Sequence, residues 1–160
     1  MRRGFLSPVL TPRLRAGLHV GLIAAAATAG ALAGFGAGGE GALSPFLVLG
    51  RLTLGVTQNA GAAAQSAAAI AGIGLHTMLA GLWGVVFVLV AGGTRGVRLA
   101  GAAALFALFV YALDLGLLPP LLRLGHGARA FPSQSVFLHL VLATALGLGT
   151  WIATNHRREA

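Results

Sequence analysis

Four long apolar runs, separated by polar or glycine-rich stretches, dominate the chain. They cover about residues 17–37, 71–92, 99–118 and 135–153. Each run has roughly the 20 residues that an α-helix needs to cross the hydrocarbon core of a bilayer. The pattern therefore predicts an all-α integral membrane protein, with a single membrane domain built as a bundle of four transmembrane helices. Residues 1–16 and 154–160 are predicted to form short tails outside the spans.

The connection between the first two spans contains a shorter apolar segment, SPFLVLGRLTLGV. Residues 43–56 are too few to cross a bilayer, and Arg51 interrupts them. Pro45 suits the first turn of a helix. We therefore expect a short amphipathic helix on the outer surface of the membrane, with Arg51 at the level of the lipid headgroups.

Composition supports the membrane assignment. The 160 residues are 57% hydrophobic and 9% charged, whereas a soluble domain has about 25% charged residues. All eleven basic residues are arginine, and this bias, with abundant alanine, glycine and leucine, is typical of a GC-rich bacterial genome. We therefore expect the chain in a bacterial inner membrane. Cysteine is absent, which excludes disulfides and thiolate metal ligands.

The arginines indicate the orientation of the chain. Because positive charge is retained in the cytoplasm, the uneven distribution of arginine predicts that both termini and the 93–98 turn are cytoplasmic. The net charge of +8 suits lipid headgroups rather than nucleic acid, since the arginines flank the spans and form no folded basic face. The majority side contains Arg2, Arg3, Arg13, Arg15, Arg95, Arg98, Arg157 and Arg158, and the other side contains Arg51, Arg123 and Arg129.

Glycine recurs at four-residue spacing in the first span. In a helix this spacing stacks residues near one face, where a neighbouring backbone can approach closely. The first span is therefore predicted to pack against partners, in a homo-oligomer or a larger membrane complex. The residues with this predicted packing role are Gly17, Gly21, Gly30, Gly34 and Gly38.

Two pairs of segments repeat in the same order along the chain. LHTMLAGLWG at 75–84 matches LHLVLATALG at 138–147, and GALSPFLVLG at 41–50 matches GLLPPLLRLG at 116–125. These matches predict a tandem duplication of a helical hairpin. Biased composition is the competing explanation.

Three ionisable residues lie at a similar depth in the predicted spans. His76, His139 and Asp114 are each roughly 6–7 Å inside the outer end of a span, at about 1.5 Å per residue. Ionisable groups in a span usually face the bundle interior or a wet cavity, and a carboxylate beside an imidazole stabilises the imidazolium. We therefore expect the three side chains to converge, with Glu40 and His126 in the external connections just above them.

The sequence leaves four interpretations of this layer open. The histidines could reach the membrane interface or hydrogen-bond neighbouring helices. His76 and His139 could ligate a haem b, which needs two rings at equal depth. His76, Asp114 and His139, with His126 or Glu40, have the nitrogen and oxygen donors of a divalent metal site for zinc or copper. The same residues could also relay protons or ions.

No sequence motif indicates an enzyme. The chain contains no Walker sequence, dinucleotide fingerprint, nucleophile elbow or zinc-protease motif. The leading hypothesis is a small polytopic membrane protein that acts as a non-catalytic subunit or accessory protein, with membrane lipids and other membrane chains as partners. The alternative is a haem-, metal- or proton/ion-binding bundle organised around His76, Asp114 and His139.

Overall fold

A computed structural model of the chain describes residues 10–114 and 132–159. These residues form five helices and no strand, which confirms the all-α prediction for the described part of the chain. The helices are α1 (Leu10–Ala37), α2 (Ser44–Leu54), α3 (Ala62–Ala91), α4 (Gly96–Ala112) and α5 (Pro132–Glu159).

Three of these helices are long and apolar enough to cross a membrane. They are α1 over Thr11–Ala37, α3 over Ala62–Ala91 and α5 over Ser133–Asn155. The fourth candidate, α4, is apolar but has 17 residues, fewer than the ~20 of a typical span. The protein is therefore a membrane protein with three candidate spans, where the sequence predicted four. The part of the third predicted span beyond Asp114 lies outside the described residues.

The helices extend beyond the apolar runs that predicted them. α1 begins at Leu10 instead of residue 17, so part of the predicted basic tail is helical and includes Arg13 and Arg15. α3 begins at Ala62 instead of residue 71, because AAAQSAAA is rich in alanine, the strongest helix former. Hydropathy thus locates the apolar part of each helix and not its ends.

Glycines set the closest contact between α1 and α3. A Cβ atom built on Gly17 would lie 2.5 Å from the Cα of Val85, and one built on Gly21 would lie 2.6 Å from the Cα of Gly81. A Cβ atom on Gly84 would collide with the backbone of Gly21. The two backbones therefore touch without side chains between them, as small residues allow in membrane helices.

The short helix α2 lies antiparallel to the first half of α3. Its buried residues Phe46 and Gly50 face α3, and a Cβ atom on Gly50 would collide with the carbonyl group of Ala68. The Arg51 Nε atom donates to Gln65 Oε1 at 2.7 Å. The Gln65 amide nitrogen then donates to three carbonyl groups in the turn between the two helices. These bonds close α2 and α3 into a helical hairpin.

The bounds of α2 lie within two residues of the surface helix predicted at 43–56. Pro45 occupies its first turn, and Gly55 ends it with a φ of +66°, a left-handed conformation that glycine adopts without steric penalty. The face opposite α3 includes the exposed Val48 and Leu52. Helix α2 therefore packs tightly against α3 on one side, and its opposite side is exposed.

One hydrophobic cluster joins the four longer helices. Its buried members include Val20 of α1, Phe87 of α3, Val110 of α4 and Leu146 of α5. α1 packs along both α3 and α5, and α4 packs along α5. Between α3 and α4 the backbones lie further apart, and aromatic rings fill the space, with the centroids of Phe87 and Phe106 5.3 Å apart.

Candidate functional site

A polar cluster lies between the end of α4 and the beginning of α5. Asp114 comes shortly after α4, and its Oδ2 atom lies 3.3 Å from Nε2 of His139 in α5. The Nδ1 atom of His139 donates to the backbone carbonyl of Ser135 at 2.8 Å, one turn earlier in the helix. Tyr111 packs edge-on against the imidazole, with ring centroids 5.0 Å apart. Two helices thus position an imidazole, a carboxylate and a phenol together.

The surroundings of this cluster are mainly apolar. The side chain of His139 is 11% exposed and that of Asp114 is 40% exposed. A groove of about 270 Å³ between α4 and α5 reaches His139 and Tyr111 and is otherwise lined by alanine, valine and leucine. Both imidazole nitrogens face oxygen acceptors, and the imidazolium form is the one that can donate to both. The cluster is therefore an ion pair beside an apolar groove.

His76 takes part in a different set of contacts, between α3 and α1. Its Nε2 atom lies 3.1 Å from Thr28 Oγ1 and 3.3 Å from the carbonyl oxygen of Ala25. The Thr28 hydroxyl donates its proton to the Ala24 carbonyl at 2.7 Å, so His76 Nε2 is the donor in this network. Phe46 of α2 packs edge-on against the imidazole. His76 therefore connects α3 to both α1 and α2.

The structure brings two of the three predicted layer residues together. Asp114 and His139 are in contact, whereas the ring of His76 is bonded to α1. Glu40 is exposed in the turn after α1, and His126 lies outside the described residues. Within residues 10–114 and 132–159, no group of three or more histidine, aspartate or glutamate side chains could hold a metal ion. Of the three residues that were expected to converge, Asp114 and His139 meet in the described part of the chain, and His76 lies apart from them.

The two histidines direct their Nε2 atoms toward different helices. His76 uses this atom on α1, and His139 uses it on the end of α4. A haem held by both rings needs the two imidazoles to face each other across one space. The observed directions favour hydrogen bonding within the protein over joint ligation of haem b.

The glycines of α1 fall into two groups on opposite sides of the helix, because Gly30 follows Gly21 by nine residues, or two and a half turns. Gly17 and Gly21 contact α3, whereas a Cβ atom on Gly30 or Gly34 would have no described atom within 4 Å. A Cβ atom on Gly38 would approach only carbonyl oxygens of the preceding turn, the nearer at 3.6 Å. The packing role predicted for these glycines is therefore seen within the chain for the first two. Gly30 and Gly34 form an open glycine strip on the second half of α1.

Sequence reasoning anticipated Asp114 beside His139 but missed two other residues that contact the histidines, Thr28 and Tyr111. Thr28 and Tyr111 each lie within an apolar run, where neither stands out. Tyr111 precedes Asp114 by three residues, a spacing that places both on one helix face and could have identified it. Thr28 offers no such signal, because the helix that faces His76 is decided by the packing of α1 on α3.

Comparisons of the chain with protein-family models, with curated proteins and with solved structures find no match.

Proposed function

We propose that the chain is a non-catalytic subunit or accessory protein of the bacterial inner membrane, and that it binds a second transmembrane helix on α1. In this proposal the chain has four spans in two tandem hairpins, with both termini in the cytoplasm. The participation of α4 in the same hydrophobic cluster as α1, α3 and α5 supports the four-helix arrangement. The distribution of arginine supports the orientation.

The open glycine strip on α1 is the observation behind this proposal. Gly30 and Gly34 have the same four-residue spacing as Gly17 and Gly21, which make backbone contact with α3. Glycine in a helix costs about 1 kcal/mol relative to alanine. In a membrane helix this loss is offset where a second backbone approaches the glycine face closely. A helix docked on the open glycine strip would reproduce the contact between α1 and α3.

The assembly state of the purified protein tests the proposal. Gly34→Leu places a bulky side chain on the open glycine strip. Gly101→Leu makes the same change on α4, where an added Cβ atom also has no described atom within 4 Å. By native mass measurement in mild detergent, we expect the wild type and Gly101→Leu to form a complex with a second copy or a defined partner chain. Gly34→Leu should weaken that complex at least about tenfold, a loss of ~1.4 kcal/mol or more.

Two outcomes would contradict the assembly proposal. One is a wild-type chain that is monomeric, with no copurifying chain, in every mild detergent tested. The other is a complex that Gly34→Leu leaves intact, because the docked helix would then lie elsewhere.

A divalent metal site is the second candidate function, and the pair of Asp114 and His139 favours it. Zinc takes histidine nitrogen and aspartate oxygen at about 2.0–2.2 Å in a tetrahedral arrangement. Two such ligand atoms are then roughly as far apart as the observed 3.3 Å between Nε2 and Oδ2. The bond from His139 Nδ1 to the Ser135 carbonyl is also the type of contact that orients metal-bound histidines. A metal here would need ligands in addition to these two.

Metal analysis tests this second candidate. After incubation with zinc and dialysis, a metal site predicts about one equivalent of bound zinc, lost in both Asp114→Asn and His139→Ala. His76→Ala should retain the metal, because His76 is bonded to α1. A wild-type protein without bound zinc, or equal loss in His76→Ala, would contradict a site at this pair.

A further inference from the structure

A polar cavity lies at the end of the protein where α1 begins and α3 ends. Its volume is about 330 Å³, within the usual size range of ligand pockets. Arg13 of α1, Arg95 of the turn before α4 and Thr150 of α5 line it, together with small and aliphatic residues. Arg95 precedes α4 and Asp114 follows it, so this cavity and the ion pair lie at opposite ends of that helix.

Thr150 is the unusual residue of this cavity. Its side chain is 1% exposed, and its hydroxyl has no hydrogen-bond partner among the described residues. Buried polar groups in proteins nearly always have a partner. The hydroxyls of five other helical threonines donate to a carbonyl three or four residues earlier, namely Thr28, Thr53, Thr77, Thr144 and Thr154. The Thr150 hydroxyl therefore has no described acceptor, and Thr150 lines the cavity.

The positive charge of the cavity indicates an anionic ligand. Arg13 and Arg95 have no ion-pair partner among the side chains that the structure describes. The acids whose side chains the structure describes, Glu40 and Asp114, lie beyond the far ends of α1 and α4. Guanidinium groups bind phosphate through paired N–H donors. Two arginines and a hydroxyl donor around one cavity thus match a phosphate group.

We propose that this cavity binds the phosphate group of an anionic phospholipid. Thr150 lies five residues before the apolar part of α5 ends at Asn155, which is roughly 7–8 Å at ~1.5 Å per residue. Thr150 therefore lies one to two helical turns inside the end of the span, close to the membrane boundary where basic pockets between transmembrane helices recognise phospholipid headgroups. Ala16 and Val88 line the same cavity and provide an apolar surface for the glycerol. The bound lipid would connect α1, α5 and the turn between α3 and α4.

Lipid binding by the full chain, purified and delipidated in detergent, tests this assignment. The probes are phosphatidylglycerol, phosphatidylcholine and inorganic phosphate, and bound molecules are counted by native mass spectrometry. We expect one tightly bound phosphatidylglycerol per chain, held at least about tenfold more tightly than phosphatidylcholine, because two guanidinium groups face its net negative charge. Equal binding of the two lipids would overturn the proposal. Saturable binding of inorganic phosphate without retention of either lipid would also overturn it, since the ligand would then be a soluble anion.

Three variants test the location of the site. Thr150→Val keeps the branched shape and removes the hydroxyl, and it should weaken phosphatidylglycerol binding roughly tenfold, as should Arg13→Gln. Arg98→Gln is the matched control, since Arg98 lies in the first turn of α4 and does not line the cavity. Binding by this control should change less than about threefold. A Thr150→Val variant that binds like the wild type, or a control that weakens binding as much as Arg13→Gln, would overturn the proposal.

Stability without lipid separates a ligand contact from a structural one. In lipid-free detergent, Thr150→Val should melt at the wild-type temperature or above, because it removes an unpartnered buried hydroxyl. Added phosphatidylglycerol should then raise the melting temperature of the wild type more than that of the variant. A variant that is already less stable without lipid would show that the hydroxyl has a partner within the protein, and the proposal would fail.

Discussion

Replacing Gly21 with alanine should destabilise the fold, although alanine is the better helix former. The added Cβ atom would lie 2.6 Å from the Cα of Gly81 and 2.7 Å from the carbonyl oxygen of Ala80. Both atoms belong to the backbone of α3, so no side-chain rotation can remove the overlap. The substitution therefore forces α1 away from α3.

Two effects of opposite sign determine how much Gly21→Ala changes the free energy of unfolding. Alanine gains about 1 kcal/mol of helix propensity over glycine. Overpacking at a tight contact costs about 1–3 kcal/mol, and the upper end applies here because a whole helix has to shift. The free energy of unfolding of Gly21→Ala should therefore fall by a net ~1–2 kcal/mol.

Gly34→Ala is the matched control, because it makes the same change in the same helix. Its new Cβ atom has no described atom within 4 Å, so only the propensity gain remains, and stability of the monomer should rise by up to about 1 kcal/mol. Equilibrium unfolding in mixed SDS micelles, followed by near-UV circular dichroism of the monomer, measures both variants. Changes of the same sign in the two variants would refute the close approach of α1 and α3.

Three further substitutions test other contacts. Thr28→Val and His76→Phe should show a coupling of about 0.6–1.7 kcal/mol in a double-mutant cycle, because the two side chains bond within the membrane helices; additive losses would show that this bond contributes nothing. Gln65→Ala removes three hydrogen bonds to the turn at residues 55–61. Amide hydrogen exchange in that turn should therefore accelerate roughly tenfold, while the amides of α1 keep their protection. Unchanged exchange in the turn would contradict the three hydrogen bonds of Gln65. Gly50→Ala should lower stability by a net ~1–2 kcal/mol in the same SDS assay, because the collision of its Cβ atom with the backbone of α3 outweighs the gain in helix propensity. Wild-type stability of that variant would contradict this packing.

The helical class of the fold followed from the sequence because lipid permits few alternatives. A long apolar run in a bilayer has to satisfy its own backbone hydrogen bonds, and a helix does so within one segment. The extents of the helices did not follow. Arg13 and Arg15 are polar and yet good helix formers, so α1 begins before the apolar run. Hydropathy also gave no partner for α2, whose position on α3 depends on the backbone contact at Gly50.

Depth along the spans was the sequence signal for the polar cluster. Residues at equal depth on neighbouring helices can meet, and Asp114 and His139 do so. The same argument put His76 in the layer, but depth leaves the rotation of each helix about its own axis undetermined. Because α1 packs on α3 through Gly21, the ring of His76 meets Thr28 instead of the ion pair.

The orientation predicted from the arginines can be tested with single cysteines, because the natural chain contains none. Gln58, between α2 and α3, and Gly93, after α3, are both exposed and lie at opposite ends of α3. If Arg95 and Arg98 keep their turn in the cytoplasm, Gln58→Cys should react with a membrane-impermeant maleimide in intact cells. Gly93→Cys should react only in inverted vesicles. Labelling of Gly93→Cys in intact cells would reverse the orientation, and it would move the proposed phospholipid site to the outer leaflet, because the cavity shares that end of the protein.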